Sequence, residues 1–259
     1  MNVSSWLNSA PIDRLDAELI LAHALGKDRT FLHAHPDFEL SEAVLAEIRT
    51  LTERRALGEP LAYIFGNKEF YGRVFKVTRD TLVPRPETEA LIEVIKDLKP
   101  HKILDVGTGS GCIAVTLALE LPETEVDAVD ISSAALEVAQ ENAQKLGAKV
   151  NFSRSDLLSS VGNGYDLIVA NLPYVDRNWD WLSRELNFEP QNALFAEDGG
   201  LALIKKLIQE APAHLTEKGY LILEADRSQH QKIAEYASDS FEQINNSTDQ
   251  TLVVSLCRR

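Results

Sequence analysis

The sequence predicts an α/β fold: a parallel sheet covered by helices on both faces, preceded by a small N-terminal helical domain and a connecting β-hairpin. Three observations predict it. From Lys102 onward short apolar runs alternate with helical patterns, the order that yields parallel strands joined by crossover helices. From residue 11 to about 57 apolar residues recur instead at helical spacings of three and four. Between Gly66 and Val83 aromatic and β-branched residues alternate with polar ones around Gly72, as a hairpin or extended connector requires. A chain of 259 residues exceeds the usual single-domain size, and the boundaries read as 1–65 for the helical domain, 66–86 for the hairpin linker and 87–259 for the sheet domain.

Each element has its own cause. Ile12, Leu15, Leu19 and Ala22 predict one helix and its buried face, and Val44, Ile48 and Leu51 predict another after Ser41, an N-cap. In PRPETEALIEVI the prolines stop one element and the acids open a helix. Strand KILDV leads into a helix from Gly111 to Leu121, strand EVDAVD into a helix from Ser132 to Leu146, and then follow strands KVNFSR and YDLIVAN. Leu201, Ile204, Leu207, Ile208 and Ala211 trace a helix face, followed by GYLILEA and a helix near Gln229 to Tyr236. Strand candidates around Phe241 to Asn245 and Thr251 to Leu256, separated by NNSTDQ, predict a closing antiparallel hairpin.

Composition narrows the function. With 44% apolar and 25% charged residues, and no apolar run near the roughly 20 residues that span a bilayer, a membrane-spanning protein is excluded. The opening MNVSSWLNSA has neither the basic flank nor the long apolar stretch of a secretory leader, so the cytoplasm is expected. Cys112 and Cys257 sit in apolar settings with no metal or disulfide spacing, which suits small buried residues. A formal net charge of −14 opposes a phosphate backbone. The one basic island, Lys68, Arg73, Lys76, Arg79 and Arg85 against Glu69 and Asp80, reads as a solvated hairpin face ahead of an RNA or acidic-partner contact.

In an open α/β sheet, ligands sit beyond the carboxyl ends of the strands. DVGTGSG lies at such an end: Asp105, Gly107, Gly109 and Gly111 give Gly-x-Gly-x-Gly, shorter than the dinucleotide spacing. A glycine-rich turn can also serve only to pack a strand against a helix. Asp130 ends the next strand, where its carboxylate can accept both hydroxyls of a ribose. Asp156 ends the one after, placed to accept an exocyclic adenine amino group, with Leu157 as apolar contact to the ring. Together they fit an adenosyl ligand without a pyrophosphate, such as S-adenosylmethionine.

The fourth strand ends in Asn171-Leu172-Pro173-Tyr174, and a doubly wound sheet brings its tip beside the glycine loop. Asn171 offers a side-chain carbonyl, and the backbone carbonyl of Leu172, held by Pro173, offers a second acceptor. Two acceptors can hold the two hydrogens of a planar NH2 group with its lone pair facing a sulfonium methyl. Tyr174 would stack on or wall off that planar substrate. The plainer reading is a strand end with a proline turn.

With these motifs assembled, the chain resembles the protein-(glutamine-N5) methyltransferases that modify class 1 peptide chain release factors on the glutamine of their Gly-Gly-Gln loop. The resemblance runs from DAELILAHALG through GEPLAYIFGNKEF and LVPRPETE to ILDVGTGSGCIAV, NLPYV and FEPQNALFAEDGG. It implies a seven-stranded Rossmann-like class I methyltransferase sheet and S-adenosyl-L-methionine as cofactor. Asp105, Gly107, Thr108, Gly109, Ser110, Gly111, Asp130, Asp156, Leu157 and Asn171 would form the cofactor site. Asn171, Leu172, Pro173 and Tyr174 would hold the glutamine amide, Pro84, Arg85, Pro86 and Glu87 would shape the adjoining wall, and the helical domain would dock the release factor. A cytoplasmic monomer is implied, with no metal, no stable nucleic-acid partner and no membrane. Two positions depart from the family: Leu172 replaces a usual proline, giving a spelling reminiscent of rRNA adenine dimethylases, and Ala225-Asp226 follow Leu223-Glu224 where glycine is usual. The rivals are an adenine-N6 methyltransferase on RNA or DNA, a non-catalytic binding module of the same fold, and a nicotinamide oxidoreductase.

Overall fold

The structure, a computed structural model, describes residues 1–180, 182–244 and 253–259. They form two compact units: Met1–Gly66 with Ser183–Phe188, and Asn67–Leu182 with Glu189–Arg259.

The first unit holds α1 (Val3–Ser9), α2 (Arg14–Leu25), α3 (Arg29–Ala34), α4 (Glu42–Ala56) and α5 (Leu61–Phe65). Side chains at four starts satisfy backbone donors that the first helical turn leaves unpaired: Asn2 accepts from Ser5, Asp13 from Leu15, Asp28 from Phe31, and Ser41 from Val44 as expected. The core joins Val3, Trp6 and Leu7 to Ala17, Ile20 and Leu21, with Leu32 and Ile48. Arg55 reaches Asp16 and Glu185, both at 2.6 Å, which ties the Ser183–Phe188 segment to this unit. The buried face of α2 differs from the sequence reading. The helix begins only after Asp13, so Ile12 lies outside it; Leu15 is 46% exposed, and Ala17, Ile20 and Leu21 face inward.

That face also carries a charge an apolar pattern cannot show. Glu18 is 4% exposed and accepts from Arg29 Nη2 at 2.8 Å and Arg14 Nε at 3.0 Å. Arg29 first and Arg14 next hold its carboxyl below the usual 4.5. A folded pKa below the unfolded one gives stability that is present above the unfolded value and lost as pH falls through the folded one. Glu18→Gln should cost the helical unit about 1–3 kcal/mol at pH 7, with a smaller difference from wild type at pH 3. Hydrogen exchange of the α2 amides reads this, and an equal difference at both pH values would contradict it.

The second unit opens with the antiparallel hairpin β1 (Asn67–Phe70) and β2 (Arg73–Lys76), then α6 (Glu89–Leu98) after a single 3-10 turn over Pro86–Thr88. The strands β3 (Lys102–Val106), β4 (Glu125–Asp130), β5 (Asn151–Arg154), β6 (Tyr165–Ala170), β7 (Leu215–Glu224), β8 (Phe241–Ile244) and β9 (Val253–Arg258) form a seven-stranded sheet in the order β5-β4-β3-β6-β7-β9-β8. The first five are parallel, and β9 runs antiparallel to both β7 and β8. The segment NNSTDQ between the last two strands lies outside the described residues. Helices α7 (Cys112–Glu120), α8 (Ser133–Leu146), α9 (Gln191–Leu194), α10 (Ala202–Glu210) and α11 (Arg227–Ala237) complete the unit.

Alternation along the strands feeds two cores. Ile103, Leu167, Val169 and Ile222 join residues of α6 and α7 on one face, with Phe70 and Phe75 of the hairpin. Leu104, Val106, Ile168, Leu221 and Leu223 join residues of α10 and α11 on the other. The hairpin is therefore docked, and three of the five cations of the basic island pair with acids of the same unit: Arg73 with Glu120, Lys76 with Glu141 and Arg85 with Glu189, while Arg79 and the Lys76–Glu141 pair stay in contact with solvent. Among the described residues no helix is long and apolar enough to cross a membrane, and no group of three or more His, Cys, Asp or Glu could hold a metal ion. Both cysteines are free thiols.

Candidate active site

The chain runs outward through β3, β4 and β5 and returns at β6 on the other side of β3, with Val106 level with Ala170. That reversal opens a crevice at the strands' carboxyl ends. A cavity of about 520 Å³ lies there. Gly107, Thr108, Gly109 and Ser110 line it from β3, Asp130 from β4, Asp156 and Leu157 beyond β5, and Asn171, Leu172 and Pro173 from β6.

The glycine loop is braced from beneath. Asp105 is 0% exposed; its Oδ2 accepts from Thr108 Oγ1 at 2.7 Å and the Ala114 amide at 3.2 Å, and it does not line the cavity. Burial pushes its carboxyl up to about 7, and the nearby charge of Asp130 adds to the rise. The folded chain thus favours the protonated form: this group's contribution to stability is full below the ordinary 3.8 and is lost as pH rises through about 7. Asp105→Asn should flatten that part of the stability profile, read as unfolding midpoints from pH 4 to 8. An unaltered slope would contradict the assignment.

Gly111 turns its α-carbon to α8, where an added Cβ would stand 3.0 Å from that of Ala139, so its part is packing and not ligand contact. Gly109 is different. Its φ is +56°, and the one atom within 4 Å of an added Cβ is the Gly107 oxygen at 4.0 Å, so its open side faces the place a ligand must approach. Asn142, fully buried on α8, donates from Nδ2 to the Ser110 and Lys76 carbonyls at 2.9 and 3.0 Å and fixes loop and hairpin together.

Asp130 is already half engaged. Its Oδ2 accepts the Gly109 amide and its Oδ1 the Ser132 amide, both at 2.9 Å, which orients the carboxylate and leaves each oxygen a lone pair for a ribose hydroxyl. Asp156 is exposed and shared with Lys206 Nζ at 3.3 Å. Leu157 adopts a left-handed backbone at φ +48° with its side chain in the core. These partners fit an adenosyl group: two ribose acceptors, a carboxylate at the far end, and a glycine floor with room above it.

At β6 the Asn171 Nδ2 donates to Thr88 Oγ1 at 3.2 Å, which occupies the NH2 end of the amide and leaves Oδ1 for a substrate. Leu172 is buried, with Cδ2 3.0 Å from the position a Cβ would take at Gly107. Its side chain therefore replaces proline by packing, while the chain still turns at Pro173.

Besides Asp105 and Gly111, three more sequence-predicted positions fall outside the cavity lining. Tyr174 does not line the cavity: its ring packs against the core and its hydroxyl donates to Glu224 Oε1 at 3.2 Å, the buried carboxylate being the acceptor that lets the phenol turn inward. Burial raises its pKa well above the usual phenol value. Pro84 and Arg85 line the cavity, whereas Pro86 and Glu87 are exposed outside it, because the chain turns outward into the 3-10 turn that starts α6.

Sequence reading also missed the support behind the turn. Gln229, buried on α11, donates from Nε2 to the Tyr174 and Gly199 carbonyls, both at 2.8 Å, and its Oε1 accepts from the Asp226 amide at 3.1 Å. Asp226 caps the same helix in a reciprocal capping box, so the acid that departs from the family pattern starts the helix carrying Gln229. The signal was present as Asp-x-x-Gln before a helical run.

The PrmC N-terminal domain profile matches residues 2–66, and the methyltransferase small domain profile matches residues 86–194. The chain is 46% identical over 222 residues to a release factor glutamine methyltransferase of Koribacter versatilis, covering 83% of this chain and 79% of that one. It is 39% identical over 256 residues to one of Coxiella burnetii, covering 96% and 92%. Of solved structures, the ribosomal protein L11 methylase from Lactobacillus delbrueckii subsp. bulgaricus aligns with a TM-score of 0.50 at 26% identity, covering 68% of this chain and 80% of that chain.

Proposed function

The chain belongs to the release factor glutamine methyltransferases, and from that membership we propose how its own residues carry out the reaction. It is an S-adenosylmethionine-dependent methyltransferase. Its substrate is the side-chain nitrogen of the glutamine in the Gly-Gly-Gln loop of a class 1 peptide chain release factor. The site works in the cytoplasm on a protein partner, as a monomer and without a nucleic acid. The helical domain, residues 1–65, docks that partner.

S-adenosylmethionine supplies an electrophilic sulfonium methyl when bound. Asp130 would accept the ribose hydroxyls and Asp156 the adenine amino group, and the backbone from Gly107 to Ser110 would hold the amino-acid portion. Asn171 Oδ1 and the Leu172 carbonyl accept the two hydrogens of the glutamine amide. Held this way, the nitrogen presents its lone pair out of the amide plane, and carbonyl dipoles stabilise the positive charge that builds on it. Methyl transfer forms the N–C bond, breaks the S–C bond and leaves one amide proton to be released to solvent.

The observation that carries this reading is the Asn171 amide, anchored by Nδ2 on Thr88 beside the glycine loop so that an acceptor is left for an NH2 donor. Purified protein with methyl-labelled cofactor should label release factor and leave rRNA unlabelled. Label in RNA with none in release factor would replace glutamine by adenine as the substrate.

A further inference from the structure

Glu189 is 3% exposed and does not line the cavity, yet it holds part of the wall that does. Its Oε2 accepts from the Val83 amide at 3.1 Å and its Oε1 from Arg85 Nη2, so one buried carboxylate fastens the segment that leads into the Pro86–Thr88 turn. Val83, Pro84 and Arg85 line the cavity, and so do Pro190, Asn192 and Ala193, which follow Glu189 in the chain. Thr88, three residues past Arg85, bonds the Asn171 amide at the end of β6. The stretch that carries the guanidinium thus meets the site beside the amide acceptor, whereas Asp130 and Asp156 stand at the ends of β4 and β5.

The Arg85 side chain is 34% exposed, and its bond to Glu189 is the one hydrogen bond it makes among the described residues. The remaining N–H groups of the guanidinium are left for a ligand in the cavity. An arginine side chain only donates. Its charge is offset by the buried carboxylate, so the pair can stand near a sulfonium without net repulsion. The Gly-Gly-Gln loop brings no carboxylate to meet it, and its two glycines bring no side chain at all. What they offer a donor is main-chain carbonyl oxygen. A guanidinium suits that partner, because its rigid fork can keep one N–H on the acid while another reaches across.

We propose that Arg85 is a substrate-binding residue which donates to a main-chain carbonyl of the glycines preceding the methyl-accepting glutamine, with Glu189 as the positioning residue that holds it there. This deepens the release factor reading and rests on it. Arg85→Lys keeps the charge and the ion pair but gives up the planar fork. With it, KM for release factor should rise about 10-fold, while kcat stays within about threefold and the Kd for S-adenosylmethionine within about twofold. Arg85→Met/Glu189→Gln leaves no buried charge unpaired and keeps an acceptor for the Val83 amide, so it should raise KM about 10- to 100-fold with the other two constants held. Glu189→Gln alone should raise KM about threefold or more, and the double variant should be no worse than Arg85→Met, because the acid acts through the guanidinium.

Transfer by the wild-type enzyme to the glutamine is the control, and its absence contradicts the substrate reading. Where wild type transfers, Arg85→Lys with a wild-type KM means that the ion pair only braces the wall, which overturns the proposal. A rise in cofactor Kd that matches the rise in KM assigns the guanidinium to the carboxylate of S-adenosylmethionine and overturns it too. Replacing each acid that flanks the release factor loop by its amide locates the partner. An Arg85→Lys effect that survives every replacement supports a carbonyl, and one that vanishes with a single acid overturns it. Should the double variant fail to fold, Arg85→Lys decides.

Discussion

Asn171→Ala should lower kcat by about 10²–10³ while leaving cofactor affinity within a few-fold of wild type, because it removes an acceptor felt most strongly as charge builds on the substrate nitrogen. The substitution empties a position at the end of β6 without touching the Asp130 carboxylate, whose bonds run to Gly109 and Ser132. Asp130→Ala should do the reverse. It strips the ribose of its acceptor and frees the Gly109 amide, so cofactor affinity should fall while turnover at saturating cofactor suffers less. Calorimetric cofactor titration beside steady-state kinetics separates the two. Equal effects of both substitutions on affinity and turnover would contradict the division of labour.

Gly200→Ala should be the most damaging single methyl in the unit. Its φ is +84°, and an added Cβ would lie 1.9 Å from the Tyr174 carbonyl oxygen and 2.6 Å from Gln229 Nε2. The neighbours are a backbone and the side chain that holds it, so neither can retreat without releasing the turn. The expected cost is on the order of 3 kcal/mol or more, with kcat lost in whatever fraction folds. Unfolding midpoints and kcat measured together read this, and wild-type values for both would show that Gln229 and Gly200 do not hold the Asn171–Tyr174 turn.

What could be read in the sequence was what strand ends impose locally. The glycine loop, Asp130 and Asn171 each close a short apolar run, and the order of strands follows from the alternation with helices, so their convergence at one crevice needed no tertiary information. Glu224 obeys the same rule at the end of GYLILEA and could have been found by it. Side-chain direction was less legible. Tyr174 turns away from the cavity because a buried carboxylate 50 residues later accepts its proton, and no pattern near NLPY encodes that partner. Asp105 shares its loop with true cavity residues, yet its two bonds to Thr108 and Ala114 make it a brace. In α2 the apolar spacing suggested one face, but the Asp13 cap set the helix start and Glu18 with two arginines took part of the buried side. The ion pairs of Arg73, Lys76 and Arg85 were not legible because their acids lie on α7, α8 and the chain just before α9, far away in sequence.

Tandem mass spectrometry of release factor after incubation with this protein and S-adenosylmethionine tests the central claim most directly. A single methyl group on the side-chain nitrogen of the Gly-Gly-Gln glutamine, absent with Asn171→Ala at equal time, is the predicted result. A methyl group on any other residue, or unmodified release factor from an enzyme that binds the cofactor, would contradict it.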